Sequence, residues 1–437
     1  MTLTEAAFWT KRFGVIVLAV IAIFSIIVII LASTSSQKML PQYLTANFAC
    51  TDTKEEFLPS KLSISSLQLA SGSGMYFELQ TDSGKVDALP GIINVYKFDN
   101  PTQTLSSQAD AKILAKQLGF DQDAIVRNGT ESYSWSDSNR QLTVLAKNLN
   151  FKLTTNASYI RSAASSGSMP SEQEAKSTAS NFLRNLGILS DDYSEGTPTT
   201  TLIKVNPDGS FSQAGSLSEA QLIKVDFNRV KSMITIPSNV VGATAMVNSF
   251  KSKLGEPTTT KENISGESIN VYTFNTPITF LNPNNSNITV YVGVSTSKTN
   301  SALSSIYQID YTYWPVEESA CGTYQLISPE TALQKVQSGQ GSLIYLNDVN
   351  GDDVASYSPR KVKKFTILYV NLTYYESSSE QTFLQPVYVI SGEAIFDNDT
   401  KGTFDFYYPA IDYDNVQNKI EQKAAETTDT GNIFQSL

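Results

Sequence analysis

The distribution of apolar and polar positions is dominated by one run, Phe13–Ala32, FGVIVLAVIAIFSIIVIILA, twenty residues without a charge and with Ser25 as the one polar side chain. A bilayer core about 30 Å thick is spanned by about 20 residues at 1.5 Å rise each, so the run has the length of a transmembrane helix. It lacks the polar stripe of a surface helix. In hydrocarbon the backbone can satisfy its hydrogen bonds only internally, which makes the helix obligatory despite many β-branched residues. Lys11 and Arg12 lie directly before the run, and only Lys38 lies close behind it. The positive-inside rule therefore predicts a cytoplasmic segment 1–12 and an exported remainder. The run exceeds the about 7–15 residues of a secretory h-region, and no small-residue cleavage site follows it, so a retained anchor is expected.

Beyond the anchor, residues 33–60 are polar, carry Pro41 and Pro59, and read as a stalk. Alternation then predicts strands at Met75–Gln80 and Ile92–Phe98, ended by Pro101. A helix follows over Ser107–Gly119: Ser107 as N-cap, Ala111, Leu114, Ala115 and Leu118 on one face, and Gly119 at the left-handed C-terminal position. Short strand signals occupy 133–135, 142–145 and 150–153. The Ser/Ala/Gly run Ser162–Ser168 reads as a linker. A second helix is predicted immediately after it, with Ser171 and Glu174 as a capping box and Ala175, Ala179, Phe182, Leu183 and Leu186 facing a core before Gly187.

Strands are expected at 202–205 and around Phe211, separated by the turn Asn206-Pro207-Asp208-Gly209, and again at 222–227, 288–294 and 306–313. A helix ending before Gly255 is suggested by Val247, Phe250 and Leu254, and another starts at Ser328-Pro329 and stops at Gly339. Segments 365–375, 383–390 and 404–408 read as a closing antiparallel sheet. Ile93-Asn94-Val95-Tyr96-Lys97-Phe98 is echoed by Ile269-Asn270-Val271-Tyr272-Thr273-Phe274, with Pro101 and Pro277 at matching places. An echo that occurs twice suggests a duplicated module rather than a solenoid. The expected class is α+β: one transmembrane helix, then antiparallel-sheet modules with packed helices over 61–161, 169–320 and 321–414, and a polar tail over 415–437.

Composition narrows the chemistry. Lys plus Arg is 32 and Asp plus Glu is 42, a net charge of −10, which disfavours a nucleic-acid partner. The chain has no histidine, which removes Ser-His-Asp and Cys-His nucleophile systems and histidine-ligated zinc. Carboxylates, lysines, tyrosines or Ser-Lys pairs remain available for catalysis. Cys50 and Cys321 are the only cysteines. They allow one disulfide in an oxidising compartment, or two buried thiols.

No segment assembles a catalytic, cofactor or metal constellation, and none is assigned. Asp348-Val349-Asn350-Gly351-Asp352-Asp353 has its glycine at the fourth position and lacks the closing Glu of a calcium loop, so it reads as a solvated turn. Asp397–Gly402 reads as a β-turn, and Asp412 with Asp414 as exposed charge. Arg360, Lys361, Lys363 and Lys364 form the one basic cluster, either a contact patch for an acidic partner or protection for a strand edge. Sequons at Asn128, Asn156 and Asn371 say little in a chain this rich in Asn, Ser and Thr.

The helix phrase from Ser171 to Gly187, repeated approximately from Ser107 to Gly119, resembles the helix of PepSY-type domains. The order of one anchor, exported α+β modules, the Ser328-Pro329-Glu330-x-Ala332-Leu333 helix and a late Leu384-Gln385-Pro386-Val387-Tyr388 strand resembles the YycH and YycI regulators of bacterial sensor kinases. That resemblance implies a single-span bacterial envelope protein that contacts another protein without catalysis. It carries over no contact residue. The alternatives are a histidine-free envelope enzyme or wall-polymer binder that uses carboxylates, and a structural spacer.

Overall fold

The computed structural model describes residues 46–416, apart from 48–49, 53–55, 58–61, 75, 265, 297–301, 349–350, 353 and 355. The predicted span Phe13–Ala32, most of the stalk and nearly all of the tail lie outside the described residues. Among the described residues no helix is long and apolar enough to cross a membrane. The described chain is α+β and mostly sheet, built on one nine-stranded and one ten-stranded sheet.

The nine-stranded sheet is antiparallel throughout. Its order is Phe211–Gln213, Thr199–Val205, Leu222–Phe227, Ile288–Gly293, Ile306–Tyr311, Phe151–Thr155, Arg140–Leu145, Ser132–Ser136 and Val126–Asn128. Helices α1 (Ser107–Gln117) and α3 (Glu172–Asn185) cover one face. Their Ala111, Leu114, Ala175, Ala179, Phe182 and Leu183 pack on Leu142, Val144, Val225, Val290 and Ile309. The other face receives α2 (Ala157–Ala164), whose Ile160 and Ala163 lie on Ile203, Val205, Leu222, Tyr291 and Tyr307. Cover on both sides explains why Ile288–Gly293 is buried at every position and shows no alternation.

Two local expectations need correction here. Ser162–Ser168 is not simply a linker, because its first residues close α2; Ile160 and Ala163, three apart, gain a sheet to pack on. Ser107 is not the N-cap of α1. Ser106 occupies that place, and the Ser107 hydroxyl accepts from the Thr104 amide at 2.9 Å. The capping box of Ser171 with Glu174 and the Ser328 cap with Pro329 at the first turn are both present.

The ten-stranded sheet runs Val230–Pro237, Glu267–Phe280, Val362–Glu376, Phe383–Phe396, Lys401–Pro409 and Ser342–Asp348, with Thr258–Ile264, Phe77–Leu79, Ile92–Lys97 and Gly322–Gln325 joined to it. It is antiparallel except where Ile278–Phe280 and Phe77–Leu79 run parallel to Val362–Glu376. Both echoed strands sit in it. Their Ile, Val and Phe positions are buried alike, yet α1 follows the first, whereas the second continues through Pro277 to Phe280.

Strands of the two sheets alternate along the chain, so the backbone passes between sheets four times, near 98–107, 228–230, 281–287 and 312–322. Arg229 lies on one passage and is fully buried. Its guanidinium is 3.3 Å from Glu376 and 3.4 Å from Asp192, and it donates to the Tyr193 hydroxyl and the Trp314 carbonyl. Burial alone would pull Arg229 down, but the Glu376 carboxylate, then Tyr193 and the Asp192 carboxylate, outweigh it and hold the guanidinium above its ordinary value. Glu376, equally buried, is pushed up by desolvation and only partly drawn back by Arg229. This pair joins helix α4 (Asp191–Ser194), which precedes the strand Thr199–Val205 of the nine-stranded sheet, to the end of a central strand of the other sheet.

Candidate binding cleft

The passage at 281–287 contributes to a cleft between strands of the two sheets. Glu267–Phe280 ends against Tyr374–Glu376, where the Leu281 amide donates to the Glu376 carbonyl at 3.0 Å. The chain must then turn into Ile288–Gly293 of the other sheet, and Leu281 takes φ +57 to do so. A bulky non-glycine residue in the left-handed region is strained. The loop is fixed internally: the Asn284 amide donates to the Asn282 side chain at 2.9 Å, and the Asn285 amide to the Asn282 carbonyl at 3.1 Å. Below it, Lys224 pairs with Asp226 at 2.8 Å and donates to the Asn284 carbonyl at 3.0 Å. Asp226 also accepts from the hydroxyls of Ser286 and Thr289.

Three segments line the cleft: Asn282, Asn284 and Asn285 of the passage, Tyr345, Asn347 and Asp348 at the end of Ser342–Asp348, and Asp352, Tyr357 and Arg360; Lys224 and Tyr291 are contributed by strands of the nine-stranded sheet. The cleft encloses about 500 Å³, within the about 300–1,000 Å³ of small-molecule sites. Arg360 lies 4.4 Å over the Phe396 ring and 3.5 Å from Asp348. Asp352 accepts from the amides of Gln213 and Val354, both at 2.9 Å, so it ties this segment to the edge of the nine-stranded sheet. Tyr357 donates to the Gln68 carbonyl. Burial raises Tyr357, and burial followed by the Asp310 and Asp226 charges raises Tyr291, so both phenols stay protonated at neutral pH. The polar side chains at hand are amides, phenols and ion-paired groups, which offer hydrogen bonds and ring contact beside the apolar Leu67, Ile344, Leu346 and Val354.

The cysteines Cys50 and Cys321 are bonded to each other as a disulfide. It fastens the start of the described chain to Gly322–Gln325, beside hydrogen bonds between Asn47 and Thr323. The basic cluster is dispersed: Lys363 pairs with Asp399 at 2.7 Å, Lys364 pairs with Glu78, and Arg360 turns into the cleft. Lys361 is exposed, its carbonyl accepting from Asp397. Nor does the cluster guard an edge, because Val362–Glu376 has neighbours on both sides. Asp397–Gly402 is the turn of the hairpin between Phe383–Phe396 and Lys401–Pro409. The Asp412 carboxylate accepts from the Asn415 amide, and Asp414 is exposed. Among the described residues no three His, Cys, Asp or Glu side chains stand close enough together to hold a metal ion.

Of the sequence-stretch Asp348–Asp353, Asp348, Gly351 and Asp352 line the cleft. Asn282, Asn284, Asn285, Lys224, Tyr291, Tyr345 and Asn347 were not singled out by sequence. The available signal was the density of amides in Asn282-Pro283-Asn284-Asn285, which also marks an ordinary turn.

No protein-family model matches this chain, and no curated protein matches it. Among solved structures it is similar to an uncharacterized protein from Eubacterium rectale ATCC 33656, with 11% identity over 77% of this chain and 89% of that chain and a TM-score of 0.36. At that distance the likeness carries no argument about fold or function.

Proposed function

We propose that this chain is a non-catalytic binding protein, anchored in a bacterial cell membrane by Phe13–Ala32, that works on the extracytoplasmic side and holds its ligand in the cleft between its sheets. The observation that carries the reading is the cleft itself: both sheets and a strained passage between them contribute its walls, and its side chains are suited to hydrogen bonding. Export is supported by the anchor with Lys11 and Arg12 before it and by the disulfide, a bond that persists in oxidising compartments. The resemblance to PepSY-type and YycH/YycI proteins favours an envelope role of this kind, with a sensor or an assembly complex as the setting.

The test is a photoreactive benzophenone side chain placed at Asn285 in the full-length protein in growing cells, with the exposed Lys261 as the control position. A discrete adduct from position 285 and none from 261 is expected. Equal labelling at both, or none at 285 in folded protein, would overturn the reading.

A further inference from the structure

We infer that the ligand of the inter-sheet cleft is an uncharged oligosaccharide, a hydroxyl-rich stretch of an envelope glycan; the inference rests on the binding role proposed for the cleft and names its ligand. The lining holds two cations, Lys224 and Arg360, and two carboxylates, Asp348 and Asp352. Lys224 is already neutralised by Asp226, and Arg360 by Asp348. A polyanion would need a cation freed from one of these pairs, and a cationic ligand would have to displace Arg360 from Asp348 or share Asp352 with the Gln213 and Val354 amides that it already accepts from. An uncharged ligand requires neither.

Asn284 and Asn285 each bring a carbonyl acceptor and an amide donor in one plane to the lining, and Asn282, whose side-chain oxygen accepts from the Asn284 amide, adds an amide donor. Adjacent hydroxyls of a sugar offer the complementary pair, each being donor and acceptor. Tyr345 and Tyr357 add rings against which the C–H face of a sugar can lie. A peptide that bound by strand addition would need the open side of Ser342–Asp348, but residues 64–67 occupy its first part: Leu67 donates to the Leu343 carbonyl at 2.7 Å, Leu343 to the Ser66 hydroxyl at 3.0 Å, and Ser342 to the Ile64 carbonyl at 2.9 Å.

The Asn282 side chain and carbonyl hold Asn284 and Asn285 in place before ligand arrives, which lowers the ordering cost of binding.

The experiment is a binding titration of the full chain in detergent micelles with three probes: hexasaccharides of β-1,4-linked N-acetylglucosamine, β-1,4-linked glucose and α-1,4-linked glucose. Binding of at least one is expected, weakened at least tenfold by Asn285→Ala and by Asn284→Asp, with the melting temperature of each variant unchanged. Asn285 is exposed, so its substitution leaves the fold alone. Failure of all three probes, or binding that both variants leave intact, overturns the inference. A protein adduct from position 285 in cells, with no sugar bound, sinks the glycan and leaves the cleft as a protein-binding site. Loss of the adduct as well sinks both.

Discussion

Arg229 and Glu376 are two charges with no exposure at the side chain, placed where the sheets join. Removing one partner of such a pair strands the other, at a typical cost of about 3–5 kcal/mol, whereas replacing both by apolar side chains of similar volume is often neutral or stabilising. Arg229→Met is therefore expected to destabilise the protein strongly in urea melts, and Arg229→Met with Glu376→Leu to recover most of the loss. A double variant as unstable as the single one would show that the network's remaining contacts, not the charge pair, hold the sheets. The pH dependence has a definite sign. In Arg229→Met, Glu376 keeps the upward push of burial and loses its main counter-charge, so its folded pKa lies above the unfolded value of about 4.3. The variant gains stability as pH falls from neutral toward that value and loses it again as pH rises through the folded pKa. Gly392 tests packing at the same scale. A methyl group there would stand 1.9 Å from the Thr366 carbonyl oxygen on the neighbouring strand, so Gly392→Ala should cost about 1–3 kcal/mol or more by overpacking, read from the same urea midpoints.

At the level of elements, helices with local punctuation were legible. The Ser171 box, the left-handed glycines Gly119, Gly187 and Gly339 and the 3.6-residue stripes are written in consecutive residues and need no tertiary information. Ser171→Ala should lower stability by about 1 kcal/mol through loss of the cap, seen as a shifted denaturation midpoint with an unchanged slope. Helix α2 was illegible because eight residues rich in Ala and Ser bury only Ile160 and Ala163, a pattern too short to separate from a linker. The cleft was illegible for a different reason. Lys224, the amides of 282–285 and Tyr345 are remote in sequence and meet only because the passage at 281–287 brings the two sheets together. No local spacing encodes that meeting, and the buried Arg229–Glu376 pair, 147 residues apart, is hidden in the same way.

For the whole molecule, the four passages between sheets mean that contiguous stretches do not correspond to one sheet each: residues 92–97 belong with the C-terminal strands, and residues 126–155 continue the same sheet as 199–227. Strand pairing at such separations closes long loops, and the Cys50–Cys321 bond closes one with a sequence separation of 271 residues. The chain-entropy account assigns such a bond about 5 kcal/mol, so reduction should lower the urea midpoint markedly and Cys321→Ser should reproduce the effect. Alkaline stability follows from the tyrosines. Burial holds Tyr307 and Tyr324 up at about 12, against about 10 when unfolded. Their contribution is complete below about pH 10 and is lost as pH rises through about 12. Phenolate absorbance of these buried rings should therefore appear together with unfolding, not before it.

The reading as a whole depends on which side of the membrane the sheets occupy, and thiol trapping in intact cells tests this most directly. Cells producing the full chain are quenched with acid, and the denatured protein is treated with a maleimide-linked polymer before and after reduction. The account predicts no labelling before reduction and two labels after it, on Cys50 and Cys321. Two labels before reduction would place the sheets in a reducing compartment and contradict it.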